Sequence, residues 1–178
     1  FRAGQHSVCI IAVSKTLPDS YWATTNFAGT NSPNYEQIHD AVKECSRRFP
    51  TFVFIHWGGE GTRSPREYQT SLGRMLIRGG AEAVIGHHPH IVQPVEVYLG
   101  KPIFYSIGNF IFRTLPPGSE QEGMLVRVQL KSPQRGTRYT LVPLDVLNER
   151  VNFEPTTIAS NSELPSYGFI NRLKNCSK

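Results

Sequence analysis

The chain has 178 residues, of which 39% are hydrophobic and 11% aromatic, enough for a folded core and too many for a disordered chain. Its formal net charge of +5 favours anionic partners such as phosphate, polyanions or anionic lipid, although a merely solvated basic surface is the commoner cause of such a charge. Lysine and arginine are scattered rather than clustered, which argues against a nucleic-acid-binding protein.

The sequence predicts neither a membrane-spanning segment nor a set of disulfide bonds. No apolar run approaches the ~20 residues that cross a bilayer, and the first residues lack a signal-peptide pattern. The three cysteines, Cys9, Cys45 and Cys176, are far apart and define neither a zinc cluster nor a disulfide framework. We therefore expect Cys9 and Cys45 to pack in the core as small apolar side chains.

The first half of the chain alternates strands and helices. Three continuous apolar runs predict buried strands, at residues 7–13, 51–55 and 81–85. Residues 15–34 predict a long loop, and apolar spacing predicts a helix over residues 35–49. A second helix is predicted to begin at a capping box, Ser64-Pro65-Arg66-Glu67, and to end at Gly79-Gly80. The last two strands and this helix form a βαβ unit.

The second half is predicted to be mainly antiparallel. Two pairs of neighbouring strands are expected, residues 91–98 with 102–107 and residues 123–130 with 138–144. The final stretch predicts a C-terminal helix and tail within residues 162–178. Since no internal repeat or boundary is visible, we expect residues 1–178 to form a single α/β domain.

Four of the six histidines follow two of the predicted strands: His56, His87, His88 and His90. The carboxyl ends of parallel strands share one edge of a sheet, where ligands of open α/β sheets bind. Imidazole nitrogen is a common ligand of Zn²⁺, Mn²⁺ and Fe. We therefore predict a divalent metal site with His56, His88 and His90 as ligands, although any single histidine is more often structural.

Four other side chains at this edge are candidates for catalysis or binding. His87 should point away from His88 on an extended backbone and is a candidate for catalysis or substrate contact. Glu60 is the second candidate for catalysis, since it can hydrogen-bond a ligand imidazole; a solvated loop acid is the alternative. Trp57 and Asn109 are candidates for substrate binding, although an asparagine at such a position more often only forms a turn.

Four short motifs in register resemble the CapA-type family of bacterial poly-gamma-glutamate capsule synthesis proteins. They are HWGGE at 56–60, GHHPH at 86–90, QPVE at 93–96 and YSIGNF at 105–110. The resemblance implies a calcineurin-like metallophosphoesterase fold, an α/β layered sandwich of which this chain would supply the C-terminal half as a partial domain. It also implies metal ligation by His56, His88 and His90.

The same resemblance implies a function and its partners. The expected function is synthesis or export of a capsule polymer at the cell surface or membrane, together with membrane subunits of capsule synthesis. The expected ligands are an anionic polymer or phosphoester and a divalent Mn, Fe or Zn ion. A second ion is expected when a missing N-terminal half is present, and a homodimer is another expected partner. Two alternatives stay open: a metal-dependent phosphoester hydrolase and a degenerate scaffold without catalysis.

Overall fold

The computed structural model describes residues 1–3, 6–111, 122–130, 137–147, 151 and 154–157. The predicted C-terminal helix lies outside these residues. The strands are β1 (Arg2–Ala3), β2 (His6–Ser7), β3 (Cys9–Ser14), β4 (Thr51–His56), β5 (Ala83–His87), β6 (Val95–Tyr98), β7 (Lys101–Phe104), β8 (Glu122–Leu130), β9 (Thr137–Asp145) and β10 (Thr156–Thr157). The helices are α1 (Tyr35–Ser46), α2 (Glu67–Arg78) and a short 3-10 helix at Asp19–Tyr21.

A five-stranded sheet in the order β3-β4-β5-β7-β6 forms the centre of the fold. Strands β3, β4, β5 and β7 are parallel, and β6 pairs with β7 in the antiparallel direction. Strands β8, β9 and β10 form a separate antiparallel sheet, and β1 pairs with β2. The predicted α/β class is confirmed, with a parallel βαβ unit followed by mainly antiparallel strands.

Side chains pack against both faces of the central sheet, so apolar residues are continuous over most of β3, β4 and β5. In β4, Val53 and Ile55 belong to a core cluster shared with α1 and α2, whereas Phe52 belongs to a second cluster with residues of β8 and β9. This arrangement explains why the strand predictions from continuous apolar runs are confirmed. Neither helix among the described residues has the length and hydropathy needed to cross a membrane.

The second helix begins later than its predicted capping box. Its N-cap is Arg66, and the N3 residue Gln69 accepts a hydrogen bond from the Arg66 backbone N–H at 2.9 Å. The prediction that Ser64 caps the helix and Glu67 closes the box is wrong. Pro65 follows Ser64 without entering the helix, and the fully buried Gln69 replaces Glu67 in the reciprocal bond.

Cys9 and Cys45 form a disulfide between β3 and α1, with their Cα atoms 6.1 Å apart. The expectation that both pack as free thiols is wrong. The two residues are 36 positions apart in sequence, and only the packing of α1 against β3 brings them together. The bond closes a long loop that includes residues 15–34.

We expect Cys9→Ser/Cys45→Ser to lower the free energy of unfolding by about 2–4 kcal/mol, because the crosslink no longer restricts the unfolded chain. Urea unfolding measures the loss. A reducing agent should bring the wild-type protein towards the variant and leave the variant unchanged. Equal unfolding midpoints for the oxidised wild type and the variant would contradict this expectation.

The ends of β5 and β7 approach each other closely at Gly86. A Cβ atom there would collide with the carbonyl oxygen of Tyr105 and the indole Nε1 of Trp57. That indole is fully buried and donates a hydrogen bond to the Tyr105 carbonyl at 2.8 Å. Only glycine leaves room for this contact.

Gly86→Ala should therefore lower the free energy of unfolding by about 3 kcal/mol, through overpacking against backbone that cannot move aside. The matched control is Gly100→Ala, where φ is +75° but no atom lies within 4 Å of the new methyl group. Its cost is confined to the left-handed backbone, about 1 kcal/mol. Chemical denaturation compares the two variants, and equal losses would rule out the steric explanation.

Candidate functional site

The carboxyl ends of β4 and β5 lie side by side. His56, the last residue of β4, is the register partner of His87, the last residue of β5. Ser14 of β3 pairs with His56 on the other side. The strand register thus confirms the prediction that His56 and His87 lie at the same edge of the sheet.

His56 and His87 form a pair. Their Nδ1 atoms are 2.7 Å apart, so one nitrogen donates to the other and the two neutral rings adopt different tautomers. The ring of His56 also lies 4.5 Å from that of His88, measured between centroids. His87, for which the sequence predicts only a direction away from His88, is hydrogen-bonded to His56.

Three ligand atoms converge beside this pair. One atom each from Glu60, His88 and His90 lies within 4.8 Å of the others, a set that could hold a metal ion. Of the predicted ligands, His88 and His90 belong to this set, with Glu60 as the third member. His56 reaches it through its contact with His88. A carboxylate and two imidazoles are donors that Zn²⁺, Mn²⁺ and Fe²⁺ accept.

The backbone that carries the two histidines is strained. His88 has a φ of +104° and His90 a φ of +61°, values that non-glycine residues rarely adopt. Such conformations cost roughly 1–3 kcal/mol each and are concentrated at functional sites. Across the turn through Pro89, the two ring centroids lie 6.0 Å apart.

The loop that carries Glu60 is tied to this turn. The Gly61 N–H donates to the Pro89 carbonyl at 2.9 Å, and the side chain of Gln93 donates to the Thr62 carbonyl at 2.7 Å. Gly58 and Gly61, with φ of +93° and +67°, permit the loop to fold back. These bonds bring the Glu60 carboxylate to the histidines, although Glu60 lies on a different strand connection.

Asn109 fixes the orientation of His90. The Asn109 Oδ1 atom lies 2.8 Å from His90 Nδ1, so a protonated Nδ1 donates to it and Nε2 keeps its lone pair for a ligand. Asn109 therefore already has a partner within the site. Trp57, the other candidate for substrate binding, has no exposed surface and lies in the core below the histidines.

The imidazoles of His56, His87 and His88 favour their neutral forms. Burial, and then the neighbouring imidazoles, lower the pKa of His56 to about 4. Burial is also the main cause of the lowered pKa of His87, to which His88 adds. For His88, burial lowers the pKa, Glu60 opposes the shift, and His90 and Arg66 reinforce it. Neutral imidazole is the form that binds metal.

Two buried glutamines support the site and were not predicted. Gln69 and Gln93 are almost fully buried beneath the loop that carries Glu60. Gln93 bonds Thr62, while Gln69 bonds the backbone of Arg66. For Gln93, the sequence signal is its place in the QPVE motif. For Gln69, helical spacing places the residue on α2 but indicates no function for it.

Comparison with known proteins identifies related sequences. The family described as "Bacterial capsule synthesis protein PGA_cap" matches residues 1–114. The PGA biosynthesis protein CapA of Bacillus subtilis (strain 168) is 40% identical over 99 residues, 53% of this chain and 24% of that protein. The capsule biosynthesis protein CapA of Bacillus anthracis is 44% identical over 60 residues, 34% of this chain and 15% of that protein. A probable polyglutamine synthesis accessory protein of Mycobacterium tuberculosis is 27% identical over 110 residues, 57% of this chain and 29% of that protein. The matched part is thus less than a third of each relative.

We expect the metal-free protein to lose stability as the pH falls from 6.5 to about 4. Over this interval the folded state keeps His56 neutral while the unfolded chain binds the proton, so protons favour unfolding. The lowered pKa values of His87 and His88 act in the same direction. Urea unfolding in EDTA across this interval measures the decrease.

Two variants test the cause of this decrease. His56→Gln should lose less stability than the wild type over this pH interval, because the histidine with the most strongly lowered pKa is removed. His6→Gln, in the exposed strand β2, should keep the wild-type decrease. The explanation fails if His56→Gln and the wild type lose stability in parallel.

Proposed function

Since this chain belongs to the bacterial capsule synthesis protein family PGA_cap, we propose that it takes part in making or exporting a capsule polymer of the poly-gamma-glutamate type. We further propose that it does so with one divalent metal ion held by Glu60, His88 and His90. The supporting names are those of the CapA relatives, which concern PGA and capsule biosynthesis. An anionic polymer is also consistent with the chain's net charge of +5.

One observation carries the metal proposal: two histidines on strained backbone converge with a carboxylate from a different loop. Strained positive-φ histidines persist only where the surrounding structure holds them, here through the bond from Gly61 to Pro89. The donor set fits a divalent cation, because neutral imidazoles leave nitrogen lone pairs available and the carboxylate offsets the charge.

Each residue of the site then has a chemical task. Glu60, His88 and His90 would hold the divalent ion, which would supply Lewis-acid polarisation of an oxygen of the anionic ligand. Asn109 accepts a hydrogen bond from Nδ1 of His90 and so fixes the orientation of this ring. The His56–His87 pair can relay a proton across its 2.7 Å hydrogen bond. The donor ring takes up a proton at Nε2 and passes its Nδ1 proton to the partner ring, which releases its own Nε2 proton. Trp57 keeps the strand ends in place from below.

Metal-dependent hydrolysis of a phosphoester is the second candidate function. The observation that favours it is the hydrogen-bonded His56–His87 pair beside His88, because histidine is the side chain most often used for general acid–base catalysis. A generic phosphodiester assay with the wild type and His87→Gln tests it. Turnover that falls in the variant at unchanged metal content supports hydrolysis, and absence of turnover in the metal-loaded wild type rejects it for this chain.

The metal site itself is tested by elemental analysis after incubation with Mn²⁺, Fe²⁺ or Zn²⁺ and gel filtration. We expect about one equivalent in the wild type and a loss of most of it in His88→Ala/His90→Ala, because two of three ligands are gone. The matched control, His39→Ala on α1, removes an imidazole outside this group and should keep the metal. Equal metal content in all three proteins would contradict the proposed site.

A further inference from the structure

We propose that Arg66 forms an oxyanion-binding subsite beside the Glu60–His88–His90 cluster. Its ligand would be a carboxylate or phosphoryl group on the anionic polymer, so this inference rests on the proposed function and names the chemistry that the site recognises. The two sources share one chemistry, a planar or tetrahedral group of anionic oxygens.

The guanidinium of Arg66 lies directly against the loop that carries Glu60. A Cβ atom built on Gly59 would be only 2.5 Å from Arg66 Nη2 and 3.1 Å from Cζ, so the guanidinium covers the glycine next to Glu60. Any side chain larger than glycine at position 59 would push the guanidinium away. The absence of a side chain there is what lets a long cationic side chain fold over the loop towards the cluster.

The backbone on both sides of this contact is fixed. The Arg66 N–H donates to Oε1 of the fully buried Gln69 at 2.9 Å. Gly59 accepts a hydrogen bond from the Thr62 hydroxyl at 2.6 Å, and Gly61 bonds the carbonyl of Pro89 between the two histidines. These bonds fix the backbone of Arg66, of the loop that carries Glu60 and of the His88–His90 turn. The exposed side chain of Arg66 therefore starts from a fixed position beside the cluster.

The charge of Arg66 is not neutralised within the part of the chain that the structure describes. Three other cations there have carboxylate partners: Arg74 pairs with Glu96, Arg47 with Glu44 and Lys101 with Glu82. No acidic side chain of the described residues forms an ion pair with Arg66, although Glu60 is close in sequence and space. Its fork of N–H donors thus remains available for an anion.

These features select the ligand class. Arginine binds carboxylate and phosphate with two parallel hydrogen bonds, whereas a lysine acts only as a point charge. A polymer with repeated anionic groups can place one group at the metal ligands and another at Arg66. A neutral polymer would gain nothing from this arrangement.

Isothermal titration of the Mn²⁺-incubated chain tests the subsite, with a γ-linked glutamate oligomer and inorganic phosphate as the two probes. Four proteins are compared: wild type, Arg66→Gln, Arg66→Lys and Arg47→Gln. We expect Arg66→Gln to weaken binding about tenfold, as for loss of a charge-assisted pair, and Arg66→Lys to recover part of the affinity. Arg47→Gln removes the same charge from the exposed end of α1 and should bind as the wild type does.

Metal content and a repeat of each titration in EDTA separate this inference from the proposed function. Binding of the oligomer alone identifies carboxylate as the recognised group, and binding of both probes identifies a general oxyanion subsite. Equal affinities of the wild type and Arg66→Gln, with and without metal, overturn the subsite, as does binding of neither probe by the wild type. Loss of Mn²⁺ from the wild type on gel filtration overturns the metal proposal alone. The titrations in EDTA still measure how much Arg66 contributes to the affinity for each probe.

Discussion

Trp57 packs where the strands that carry the site histidines end. It follows His56 directly, is completely buried, and donates its indole N–H to the carbonyl of Tyr105 at 2.8 Å. The indole passes so close to Gly86 that any side chain there would collide with it. Gly86 immediately precedes His87, so one buried contact aligns the ends of β4, β5 and β7. The β4–β5 register then places His56 and His87 side by side.

The site is then completed by turns that fold inward from these fixed ends. His88 and His90 adopt positive φ values, each at a conformational cost of roughly 1–3 kcal/mol. The hydrogen bonds from Gly61 to Pro89 and from His90 to Asn109 hold this turn in place. The strands fix where the site residues leave the sheet, and the strained turn orients the His88 and His90 side chains. Side chains from separate loops therefore converge in one small volume.

Much of this arrangement follows from local patterns in the sequence. Continuous apolar runs predict β3, β4 and β5 because both faces of the central sheet are covered, and the carboxyl ends of parallel strands place His56 beside His87. The direction of each side chain depends on contacts that local patterns do not contain. Glu60 joins the ligand group only because its loop bonds Pro89, and Trp57 turns into the core although its glycine-rich surroundings are typical of an exposed loop. The Cys9–Cys45 bond depends on how α1 packs, and chain spacing carries no information about it.

The central claim is that Glu60, His88 and His90 converge as a metal site, and paramagnetic broadening of the histidine ring signals by Mn²⁺ tests it most directly. In the NMR spectrum, substoichiometric Mn²⁺ should first broaden the ring signals of His88 and His90. The signals of His6 and His39, on β2 and α1, should stay sharp at the same Mn²⁺ concentration. Broadening of all six histidines together, or of His6 and His39 first, would contradict the claim, because the ion would then bind without preference for this edge of the sheet.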